Sequence, residues 1–132
     1  MNPDLDWCRA VRTIAHRLFP DGFDVSHDAP NTYLDLAVHV ARTGRYCVSS
    51  GCTDDPAFDS AETWQAFRAW HDWCHVTCGC KFTENGENEV AIIQECMLAA
   101  RVGRVTAKRW LHLLQREVVD SNNYQRKEVE VA

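Results

Sequence analysis

Apolar residues recur along most of the chain at spacings of three and four, the period of a helix with one buried face. Trp7, Val11, Ile14 and Leu18 mark such a face over 5–19, which the Pro20-Asp21-Gly22 turn should end. A second helix is expected from an N-cap at Asn31 to Thr43, closed by Gly44. Leu34, Ala37, Val38 and Ala41 form its apolar stripe, and Asp35, His39 and Arg42 its polar one. The period lapses over 45–58, where Arg45 to Val48 reads as a short extended piece. It returns for a third helix over 60–77, broken at Gly79. Residues 80–86 read as a turn, because Glu84-Asn85-Gly86 carries turn chemistry. A fourth helix follows over 87–103, and a fifth runs from an N-cap at Thr106 to Val119. From Asp120 the apolar period fades, so the tail 120–132 is expected to fray. The pattern predicts an all-α protein, a compact bundle of about five helices forming one domain over 1–132.

The third helix carries the candidate chemistry. At about 100° per residue, Trp64, Arg68, His71, Asp72 and His75 share one side. Ala66, Phe67, Trp70, Trp73 and Cys74 lie opposite and read as the core face. His71 and His75 stand at i and i+4, the spacing that lets two imidazoles on one helix reach one ion. Asp72 adds an oxygen ligand, or an acceptor that fixes a histidine tautomer. One helix face cannot surround an ion, and Glu87, in the first turn of the next helix, is the best further donor. The macrodipole also favours a carboxylate there. By spacing alone, a pair of solvated histidines is as good a reading as a metal site. Arg68 and Gln94 fall on the same stripes and are candidate contacts for a small-molecule substrate. Zn2+ is the default ion for mixed His and carboxylate donors, with Fe2+ or Mn2+ also suited.

Charge and cysteine content narrow the setting. The net charge of −5, with both signs intermixed, offers no basic patch for nucleic acid. No run approaches the roughly 18 apolar residues of a membrane span, and the N-terminus lacks a signal-peptide pattern. Seven cysteines is an odd number, and Cys74, Cys78 and Cys80 crowd one stretch, unlike a secreted disulfide framework. Reduced thiols and a cytoplasmic location are expected.

From His71 the chain reads H-D-W-C-H-V-T-C-G-C-K-F-T-E-N-G-E. This resembles the H-D-x-x-H-x11-E metal motif of the coenzyme Q (ubiquinone) biosynthesis family, with Val76, Gly79 and Gly86 in register and a similar continuation from Val90-Ala91 to Gln94. The resemblance covers residues 71–94 and nothing in 1–60. It implies a metal ion held by His71, Asp72, His75 and Glu87 beside a pocket for a prenylated quinone precursor; a small phage or bacterial relative with different chemistry is the alternative.

Three other readings compete. The His71-Asp72 doublet suits an HD-type metal-dependent phosphohydrolase, with His39 and Asp120 as further ligands. Cys74, Cys78 and Cys80 could join a histidine in a structural zinc site, although small apolar residues near a helix end describe them better. The ion could also only staple a non-catalytic interaction module. Ser26-His27-Asp28 before the second helix reads as turn and capping chemistry.

Overall fold

Asp4 opens the first helix by accepting hydrogen bonds from the backbone N–H groups of Asp6 and Trp7 at 3.0 and 3.1 Å. Its other carboxylate oxygen accepts from the Trp110 indole at 2.8 Å, which ties the start of the chain to its far end. The computed structural model describes residues 2–51 and 55–120, so the expected fraying beyond 120 lies outside the described residues. Helix α1 (Leu5–Leu18) is followed by strand β1 (Asp24–Ser26), α2 (Tyr33–Thr43) and strand β2 (Cys47–Ser49). Then come α3 (Ala61–Cys78), α4 (Glu84–Val102), α5 (Arg104–Arg109), α6 (Leu111–Leu114) and a π-helical turn, Gln115–Asp120. The fold is all-α apart from one two-stranded parallel ribbon.

The strands pair in parallel, Asp24 with Cys47 and Ser26 with Ser49, and α2 makes the crossover that parallel pairing requires. The extended piece expected near 45–48 is therefore β2, which begins two residues later and ends one residue later. Its partner β1 was not expected. The second helix starts one residue later than Asn31, with Thr32 as its cap.

Helix α3 is the central element. Ser60 caps it, and the Arg12 guanidinium reaches Asp59 and Thr63, fastening α1 against its first turn. Phe67 packs with Trp7, Phe58 and Trp70, and Trp7 meets Trp110 edge-on. The face opposite the expected core face of α3 is buried as well. His71, Asp72 and His75 are as buried as Phe67 and Trp70, because α1, α2 and α4 all pack against this helix.

Two further expectations fail for identifiable reasons. Residues 84–86 are not a turn but the first turn of α4. Thr83 caps it by accepting from the Gly86 N–H at 3.1 Å. Gly86 is needed there for close approach rather than for an unusual dihedral. A Cβ on it would fall 1.9 Å from the Lys81 carbonyl oxygen. The single fifth helix is instead broken at Trp110, and Thr106 lies inside α5 rather than capping it. The end of α4 at Gly103, with φ +90°, and the Asp4–Trp110 clamp redirect the chain earlier than the apolar period implies.

Candidate metal centre

Gly79 ends α3 in the left-handed conformation, and both its N–H and that of Cys80 bond back to the His75 carbonyl. The chain then turns into α4, which returns along α3. The turn brings Glu87 over the two histidines one helical turn apart.

The His71 and His75 Nε2 atoms lie 3.0 Å from each other. Glu87 Oε1 is 2.6 Å from His75 Nε2, and Oε2 is 3.3 Å from His71 Nε2. One donor atom from each residue falls within 4.8 Å of the other two, a buried His-His-Glu group that can hold a metal ion. Among the described residues it is the one group of three or more with that geometry.

The opposite edge of each ring fixes its proton. His75 Nδ1 sits against the Cys80 carbonyl, which can only accept, so Nδ1 carries the hydrogen. His71 Nδ1 faces Gln94 Oε1 at 3.0 Å, which by the same logic accepts from it. Both neutral rings therefore direct an Nε2 lone pair inward. Four lone-pair atoms, two nitrogen and two oxygen, converge with no proton of their own between them. Neither Glu87 oxygen receives a well-oriented hydrogen bond although both are close to Nε2 atoms, as expected when those nitrogens have no hydrogen to donate. Such a cluster is stable only around something positive, a shared proton or a cation.

The surroundings set the protonation. Burial lowers the His71 pKa to about 4 against the opposing pull of Glu87, leaving the ring neutral and competent to ligate. Burial works to raise the Glu87 carboxyl, but its close polar contacts with His71 and His75 outweigh it and hold the group below the usual carboxylate range. Phe67 stacks near the His71 ring at 6.3 Å, and Phe82 meets His75 edge-on at 4.6 Å, so the walls are apolar.

Asp72 is buried one position on, and its charge is felt by Tyr46 and Cys47 at β2; it is not in the His-His-Glu group. Arg68 is buried, lies 5.9 Å above the Trp64 ring, and its charge further depresses His71. Gln94 is fully buried on the far side of His71, and its Nε2 has no hydrogen-bond partner. His39 stands apart from the group and within electrostatic reach of Asp24. The side chain of Asp120 lies outside the described residues. Cys74 is a core residue whose thiol burial pushes up to beyond the ordinary range, and Cys78 is exposed, so the three neighbouring cysteines do not converge. The Cys80 carbonyl is the element that residue types alone did not single out, since any residue at that position would supply it.

No protein-family model matches the chain, and neither a curated protein nor a solved structure matches it.

Proposed function

We propose that this protein binds one divalent metal ion through His71 Nε2, His75 Nε2 and the Glu87 carboxylate, with Zn2+ as the resident ion and Fe2+ or Mn2+ as lesser fits. The observation that carries the reading is the convergence of four lone-pair atoms in an apolar interior, with the far nitrogen of each imidazole engaged by a carbonyl-type oxygen. Two histidines and one carboxylate form the donor set of hydrolytic zinc enzymes, in which a further position stays open for water or substrate. On that chemistry we read the protein as a small metalloenzyme that polarises or hydrolyses a small-molecule substrate. The likeness to the coenzyme Q biosynthesis motif implies four ligands, of which His71, His75 and Glu87 make up the proposed set; Asp72, near Tyr46 and Cys47, would then act from outside it. The six described cysteines are free thiols, which supports a reducing compartment such as the cytoplasm.

The burial of all three ligands favours a second reading, in which the ion only clamps α3 to α4. Cobalt substitution separates the two. One Co2+ per chain, with visible bands that change on adding azide, supports an open position and the enzyme. Bands indifferent to azide, with a higher melting temperature, support the clamp. No uptake of Co2+ or Zn2+ overturns both.

A further inference from the structure

Helices α1 and α4 leave between their last turns a cavity of about 280 Å³. Ile14, Leu18 and Met97 give it an apolar lining, and the small side chain of Ala100 leaves room at its edge. Arg17 and Arg101 flank it, both exposed, and neither enters an ion pair among the described residues. None of the metal-site residues lines this space.

The charge at the mouth can be counted. Each guanidinium contributes one positive charge, and each of the two helix C-termini contributes about half a negative one. About one positive charge remains, on a chain whose net charge is −5. That residue of charge matches a single carboxylate. The volume falls just below the usual range of ligand pockets, about 300–1,000 Å³. It suits a short alkyl chain or one ring and is too small for a polyprenyl tail.

We propose that this cavity binds a small amphiphilic monocarboxylate, its carboxylate between Arg17 and Arg101 and its hydrocarbon against Ile14, Leu18 and Met97. The inference is independent of the metal reading.

The chain has two methionines, Met1 and Met97, so protein labelled with 13C at the methionine methyl gives one signal from the cavity and one from the N-terminus. Titration with octanoate should move the Met97 signal saturably and leave Met1 still. Octanol should bind roughly tenfold more weakly, since it lacks the charge-assisted contact. Arg17→Glu with Arg101→Glu, both on the surface, should remove the preference for octanoate over octanol without unfolding the protein. A Met97 signal that octanoate leaves unmoved at millimolar concentration overturns the proposal. So does equal affinity for octanoate and octanol, which would mean an apolar groove with no carboxylate recognition.

Discussion

Replacing Glu87 by Gln tests the metal centre most directly, because the amide keeps the shape and removes the charge. In the ion-free protein the change should be mild. His71 is neutral, and the substitution takes an anion out of an apolar interior. With metal the effect should be large. At a free Zn2+ concentration 100 times the dissociation constant, binding stabilises the native state by about 2.7 kcal/mol. Loss of the carboxylate should weaken affinity at least as much as loss of an outer partner, about 100-fold. At the same free Zn2+ the stabilisation then falls to about 0.4 kcal/mol. The difference, about 2.3 kcal/mol, corresponds to roughly 7–14 °C in melting temperature for a chain of this size. Thermal unfolding in zinc-buffered solution, paired with calorimetric titration, measures both quantities. Macrodipole loss at a helix start is worth at most about 2 kcal/mol and acts with or without metal, so it cannot imitate a metal-dependent shift. His39→Ala and Glu84→Gln should bind zinc like the parent. If Glu87→Gln keeps the full zinc-induced shift while His39→Ala loses it, the ligand set is wrong and the phosphohydrolase constellation is favoured.

Gly86→Ala should abolish zinc binding with every ligand still present. Its Cβ would sit 1.9 Å from the Lys81 carbonyl oxygen, so the start of α4 must move; the expected destabilisation is about 1–3 kcal/mol, read by urea unfolding. Thiol titration of the denatured, unreduced protein should approach seven. In the native protein Cys78 and Cys96 should react fast and Cys74 slowly, and three disulfides would refute the redox reading. Burial and the neighbouring Asp55 carboxylate raise the Glu117 pKa to about 8 despite Arg116 at 3.1 Å. An acid raised on folding binds more protons in the native state, so its contribution to stability is full below about pH 4.5 and is lost as pH rises to about 8. Glu117→Gln should flatten that part of the stability profile, and an unchanged slope would mean another group sets it.

The helices were legible wherever a buried stripe ran up to a stop residue, as at the Pro20 turn after α1 or Gly79 after α3. The strands were not, because three residues cannot display an alternation. The 84–86 segment misled because glycine has two uses, and composition does not separate a turn from a close backbone approach. At the site, the i, i+4 histidines and Glu87 could be read from spacing and helix order. Their burial could not, since it depends on how many neighbours surround α3. Polar residues lining one side of a helix look alike whether that side meets water or another helix. The contact between Gln94 and His71 was equally hidden, although Gln94 stood out by its position on α4.

All the proposed ligands, and both groups that orient their rings, fall within residues 71–94. The centre is thus local in sequence. Closing it requires only the short connection between α3 and α4, and the entropy lost on loop closure grows slowly even for longer ones. Contacts of this kind form early in folding, ahead of distant pairings such as Asp4 with Trp110. An ion available during synthesis could therefore capture the α3–α4 hairpin before α5 and α6 have docked. On this view zinc would speed folding as well as slow unfolding, whereas an ion admitted only to the finished bundle would act on the unfolding rate alone.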